Sequence, residues 1–295
     1  MANEEFKTLQ IVHSDSEAGV FHIYLNRPAQ RNSLTLDFFS ELPRALDLLD
    51  GRSGAAAIVL AGRGPISAQE SISLPSPPSP AARLRRQILS LQAAISAVER
   101  CRRPVIAAVH GACIGGGVDL ATACDLRYCS EDAFFSVKEV DLALAADLGT
   151  LQRLPAIVGH GNAAEMALTA RKVPAAEARA MGLVSAVFPS RQEMDTAVMA
   201  IAKDLAAKSP LAVAGTKAVL LRNRDLTVDQ SLDYVATWNS SMLISDDLAE
   251  ATTAQIQRGS PLSPSYDPTT GLSLSLSLSL SLSLSLSLSI YQSTR

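Results

Sequence analysis

A chain of 295 residues, 47% hydrophobic and 19% charged with a net charge of −3, is long enough to bury a sizeable core as one large or two small soluble domains. With a pI near 5.8, and without a basic run or a basic amphipathic stretch, it offers no electrostatic footprint for nucleic acid or a membrane surface, so a small-molecule partner is expected. Cys101, Cys113, Cys124 and Cys129 sit in apolar surroundings without CxxC spacing or clustered histidines; reduced, buried thiols in an intracellular compartment are expected, with no disulfide and no metal site.

The opening MANEEFKTLQ has neither the basic flank and apolar run of a secretory leader nor the arginine content of a transit peptide. Residues 8–26 alternate apolar and polar positions around a Ser/Glu/Gly turn, which predicts a β-hairpin. Arg27-Pro28 breaks it, and apolar spacing at Leu36, Phe39, Leu42, Ala45 and Leu48 or Leu49 predicts a helix over 33–49. AAAIVLAG, 55–62, is a short apolar run ended by glycine, expected as a buried strand. Residues 63–86 are rich in Pro and Ser with no period and read as a loop or disordered insert. Helical spacing returns over 87–99. PVIAAVH, 104–110, reads as a strand running directly into the turn Gly115-Gly116-Gly117 and the apolar helix VDLATACDL. Strand, turn and helix recur from LRYC to LALAAD, a helix is expected over 162–170, and the chain reads as mainly helical from Glu177 to about Gln257. The pattern predicts an α/β core over 1–190, a helical region over 191–257 and a low-complexity tail over 258–295. In the tail, Leu alternates with Ser, too polar for a membrane span and prone to edge pairing as a strand; it is expected to be disordered and dispensable.

A strand that runs into a glycine-rich helix start aims free backbone N–H groups at one point, with the positive end of the helix dipole behind them, and so favours an anion or a developing oxyanion. For three glycines alone, a tight turn with close packing is the simpler account, and a dinucleotide fingerprint is not matched. Three acids lie nearby in apolar company: Asp119 on the first turn of the helix, Glu139 after AFFSV, and Asp147 at the end of LALAA. A carboxylate in such surroundings is costly unless paired, hydrogen-bonded or protonated, and proton transfer is one use that justifies it. Each acid also has an ordinary structural account, as a first-turn acid, an exposed strand end and a cap before Gly149.

The stretch PVIAAVHGACIGGGVDLATACDLRYCSEDAFFSVKEVDLALAADLGTLQRLP resembles the crotonase (enoyl-CoA hydratase/isomerase) superfamily, and within it the dienoyl-CoA isomerases, with a plant-like cast. LNRPAQRNSL (25–34), TARKVPAAEARAMGLVSAVFP (169–189) and KSPLAVAGTKAVLL (208–221) extend the resemblance over about 8–257, apart from 63–86. It implies a spiral core of ββα units with a C-terminal helical oligomerisation region, a homotrimer or homohexamer, and an acyl-CoA substrate with no cofactor beyond the coenzyme A of the thioester. It also implies that Asp147 takes the C2 proton, that Glu139 delivers the C6 proton and that Asp119 tunes the site. Gly116 and a second backbone donor would form the oxyanion hole, and Arg27, Ala68, Gly115 and Gly117 would contact the CoA substrate. Hydratases of the superfamily place glutamates at the positions of Asp119 and Glu139 and a small residue at that of Asp147, so the third carboxylate separates the two reactions.

Two segments depart from the family. Its F-x-x-G-x-D-L-like segment is replaced by GRGPISAQESISLPS, with Ser67-Ala68 at the start of the match and Gln69 at the family glycine. The C-terminal Ser-Thr-Arg is not a peroxisomal tripeptide, although the resemblance implies a peroxisome, with the cytosol as the other compartment. The alternatives are an enoyl-CoA hydratase, a Δ3,Δ2-enoyl-CoA isomerase, or an acyl-CoA-binding homologue impaired in catalysis.

Overall fold

In the computed structural model, which describes residues 5–13, 19–64, 66–68, 81–248, 250 and 253, successive segments of chain feed two sheets in alternation. The hairpin is present: β1 (Leu9–Val12) pairs antiparallel with β2 (Val20–Leu25), Leu9 opposite Leu25. A 3₁₀ turn at Pro28–Gln30 then leads to α1 (Leu36–Asp50), where the Thr35 side chain caps the helix by accepting from the Phe38 N–H. The helix buries Phe38, Phe39, Leu42, Ala45, Leu46 and Leu49. Of the expected stripe, Phe39, Leu42, Ala45 and Leu49 are thus buried, while Leu36 and Leu48 face solvent.

Next come β3 (Ala57–Gly62), β4 (Ile66–Ala68), α2 (Ala81–Arg100), β5 (Val105–Val109), β6 (Ala112–Gly115), α3 (Gly116–Ala123), β7 (Leu126–Ser130) and β8 (Phe134–Ser136). After a 3₁₀ turn at Glu139–Leu142 follow α4 (Thr150–Val158), α5 (His160–Thr169), β9 (Val173–Pro174), α6 (Ala175–Ala180), β10 (Ala186–Phe188) and α7 (Arg191–Ala206). The six-stranded sheet runs β1-β2-β3-β5-β7-β10 and the four-stranded sheet β4-β6-β8-β9. In the pairs β3–β4, β5–β6 and β7–β8 the first strand joins the larger sheet and the second the smaller, and within each sheet these successive strands run parallel. This stepwise progression is the expected spiral of ββα units.

A parallel sheet must be covered on both faces, and alternating side chains achieve it here. Val20, Ala57, Val59, Ala61, Ile106 and Ala108 form one core with Met194, Val198 and Ala202 of α7. Their neighbours Phe21, Ile23, Ile58, Leu60, Val105 and Ala107 form another with Phe38, Leu42, Leu91 and Ile95. Each fully buried large side chain contributes about 1.5–3 kcal/mol.

The structure corrects three expectations. Residues 63–86 are not all loop: β4 pairs with β6, and α2 starts at Ala81, while 65 and 69–80 lie outside the described residues. The glycines do not follow the VIAAVH strand directly, because β6 intervenes and Gly116-Gly117 already belong to α3. LALAAD does not form a helix but leaves the 3₁₀ turn as irregular chain. The described residues after Glu177 are mainly helical, as read, with β10 added on the edge of the large sheet.

Two compact units divide at Ala206–Ala207, so α7 falls with the first unit rather than with the helical region begun at 191. The second unit holds α8 (Pro210–Arg222) and α9 (Val228–Met242). Thr227 and Gln230 form a capping box at the start of α9. Gly215 of α8 lies under Trp238 of α9, where a Cβ would stand 2.4 Å from the indole nitrogen. The tail, 258–295, lies outside the described residues. Among the described residues, no helix is long and apolar enough to cross a membrane.

Candidate active site

The site lies where β4 and β6 end side by side. These strands pair in parallel with Ala68 opposite Gly115, so the departing segment keeps its backbone next to the glycine turn despite its composition. Gly115 caps α3 with φ +56 and ψ −122, which a residue with a side chain strongly resists. Gly116 and Gly117 open the helix, whose first N–H groups have no acceptor within it. Gly115 and Ala68 are therefore neighbours, and Gly116 and Gly117 follow Gly115 directly into α3.

Asp119, one turn further along α3, is 1% exposed. Its Oδ1 accepts from the Thr150 N–H at 2.6 Å, at the start of α4. Its Oδ2 is buried without a hydrogen-bond partner among the described residues, and so is Glu139 Oε2. Burial pushes the Asp119 carboxyl up to about 6, a rise opposed by the Thr150 hydrogen bonds and the Arg153 charge and reinforced by Asp147. Glu139, at the head of the 3₁₀ turn, is pushed up to about 7 by burial, with the charges of Asp119 and Asp147 adding to the rise. Asp147 is raised as well, through burial. The three acids are thus close enough to sense one another, and each holds a proton more tightly than an ordinary carboxylate.

Arg27 is held within its own loop. Its guanidinium donates to the Ser33 carbonyl at 2.9 Å and to Ser33 Oγ, within the loop that follows β2. In that loop Asn32, 1% exposed, accepts from the Arg27 N–H and donates to the Gly64 carbonyl, tying the exit of β2 to that of β3.

Sequence reasoning missed the groups that hold the acids in place. Gln92 of α2 donates to the Asp147 carbonyl at 2.7 Å. Arg153 of α4 donates to Glu99 at 2.8 Å, to Ser96 Oγ at 2.9 Å and to the Leu148 carbonyl at 3.3 Å. The spacing of Gln92, Ser96 and Glu99 on a single helix face was the available signal. A buried acid is not in itself a site: Glu41 of α1 is also buried, but it accepts from the Lys7 N–H, the Thr8 N–H and the Thr8 hydroxyl. What sets Asp119 and Glu139 apart is an oxygen left without a donor.

A family model described as enoyl-CoA hydratase/isomerase matches residues 15–261. The peroxisomal Delta(3,5)-Delta(2,4)-dienoyl-CoA isomerase of Arabidopsis thaliana is 56% identical over 273 residues, covering 88% of this chain and 98% of that protein. The mitochondrial enzyme of the same name from Rattus norvegicus is 43% identical over 88% of this chain and 82% of its own length. Among solved structures, an enoyl-CoA hydratase from Bacillus anthracis superposes with a TM-score of 0.80 at 27% identity, covering 87% of this chain and 99% of that one.

Proposed function

This chain belongs to the enoyl-CoA hydratase/isomerase family, and from that premise we propose that it is an isomerase converting 3,5-dienoyl-CoA into 2,4-dienoyl-CoA, a step of fatty-acid β-oxidation. The observation that carries the reading is the third acid: Asp147 lies within electrostatic reach of Asp119 and Glu139, and all three have raised proton affinity. Adding water across one double bond needs a pair of carboxyl groups around that water. Moving a diene needs a base at C2 and an acid at C6, at opposite ends of a conjugated chain.

In the proposed reaction, Asp147 takes a proton from C2, and the electron pair shifts through the diene while negative charge gathers on the thioester oxygen. The Gly116 N–H and a second backbone donor from the β4 segment around Ala68 hold that oxygen. Glu139 then delivers a proton to C6, and Asp119 sets the local charge. One proton leaves and one arrives, so the chemistry needs no cofactor beyond the coenzyme A of the substrate. Gly115, Gly117, Ala68 and Arg27 are the proposed CoA contacts.

The deciding assay follows the 2,4-dienoyl chromophore with 3,5-octadienoyl-CoA as substrate. The wild-type protein should turn over and an Asp147→Asn variant should not; equal signals from both, or faster hydration of crotonyl-CoA, would remove the reading. We further propose a homotrimer or homohexamer, supported by exposed Leu220, Val228 and Leu232 on α8 and α9, with light scattering as its test. A peroxisomal location is proposed from the name of the plant relative and is checked by imaging a tagged chain.

A further inference from the structure

Asp147 and the Thr150 N–H that holds Asp119 belong to one short corner between the 3₁₀ turn and α4. Ala146 and Leu148 of this corner are buried in the core, but its backbone takes an unusual path, leaving the 3₁₀ turn through Ala143 at φ +59 and reaching Gly149 at φ +128. Contacts from α2 and α4 hold its carbonyls. Arg153 is 10% exposed and Glu99 14%, a pair largely removed from water. Such a pair is costly to break because one partner is left charged and buried. The same guanidinium reaches back to the Leu148 carbonyl, next to Asp147, and fills the place of a side chain at residue 149: a Cβ there would stand 1.7 Å from Arg153 Nη1. Gln92, one helical turn from Ser96 on α2, holds the Asp147 carbonyl.

We propose that Arg153, anchored by Glu99 and Ser96, is a positioning residue that locks the 147–150 corner and thereby sets the placement of both the Asp147 carboxyl and the Thr150 N–H donor to Asp119. Glycine at 149 follows from it, since any side chain would push the guanidinium off its anchors. The charge of Arg153 also acts on Asp119, which it pulls toward the ionised form. The groups facing this guanidinium are Glu99 and Ser96 from α2, the Leu148 carbonyl from the corner and Asp119 from α3.

The kinetic part of the test rests on the isomerase reading, and the structural part does not. Amide hydrogen exchange at Thr150 is to be compared in wild type, Arg153→Met, Arg153→Lys and Glu99→Gln on the full chain. Exchange at Thr150 should rise about tenfold or more in Arg153→Met and Arg153→Lys, less in Glu99→Gln, and stay unchanged in β5. With 3,5-octadienoyl-CoA, kcat should fall about tenfold to a hundredfold while KM stays within about twofold. Lys keeps the charge but cannot bridge Glu99 and the Leu148 carbonyl together, so it should not rescue. If Arg153→Met does not fold, Glu99→Gln decides. Unchanged exchange at Thr150, or a rise shared equally by β5, would overturn the proposal. A wild-type protein without turnover would overturn the isomerase reading alone, because the exchange measurement still decides the positioning role.

Discussion

At the scale of the residue, the informative property is an acid whose burial is only partly satisfied, and it makes pH the natural probe. The folded-state affinity of Asp119, about 6 against 3.8, is raised, so its contribution to stability is fully present below about pH 4 and is lost as pH rises through about 6. Asp119→Asn keeps an oxygen for the Thr150 N–H but does not titrate. Its thermal midpoint, relative to wild type, should therefore climb between pH 4 and 7 by an amount equivalent to at most about 3 kcal/mol; a difference independent of pH would show that Asp119 is not destabilised by its charge. In the proposed reaction, Glu139 must hold its proton and Asp147 must have lost one. With Glu139 near 7, kcat/KM is expected to fall above about pH 7 and again in acid, with limbs that belong to the coupled group of acids. A profile flat to pH 9 would take the acid role from Glu139. Asp119, Glu139 and Asp147 stood out as acids in apolar runs, but their setting alone left each an ordinary structural account, and their roles came from the family resemblance. Arg153 and Gln92 were not legible, because Arg153 lies more than fifty residues from Glu99 and Ser96, and Gln92 binds a backbone carbonyl, which carries no side-chain signature.

At the scale of the element, the glycine turn offers a clean substitution. Gly116 is the first residue of α3, a position where proline is tolerated because its missing N–H had no acceptor inside the helix. Gly116 is buried, so folding of Gly116→Pro is to be checked by circular dichroism; in the folded variant turnover should fall by about two to three powers of ten through loss of the proposed oxyanion donor. Gly116→Ala, which keeps the N–H, should retain far more activity; equal losses would mean that the N–H is not used. The strands and helices with strong periodicity were read correctly, and the misreadings have physical causes. β4 is three residues long in a Pro/Ser-rich stretch, and its pairing with β6, not its own propensity, makes it a strand. The start of α2 shows no apolar stripe because its first buried residue is Leu91, so the helix became visible in the sequence only near there.

At the scale of the whole molecule, repeated strand–turn–helix patterning pointed to an α/β core and the family resemblance to its ββα spiral, whereas the second sheet was not legible from patterning because its strands are only two to four residues long. The division at Ala206–Ala207 was missed for a related reason: α7 looks like the helices after it, and only its burial against the large sheet assigns it to the first unit. In the second unit, Gly215→Ala would drive a methyl group into the Trp238 ring and should lower that unit's unfolding midpoint by several degrees. The measurement is built into the chain. Trp238 is the only tryptophan in the sequence, so indole fluorescence reports α8 and α9 alone, while far-UV circular dichroism sums over every helix and strand. Two melting curves that coincide would mean one cooperative transition, and two that part would mean that the helical unit melts on its own; an optical cuvette therefore suffices to learn whether the two units share a fate.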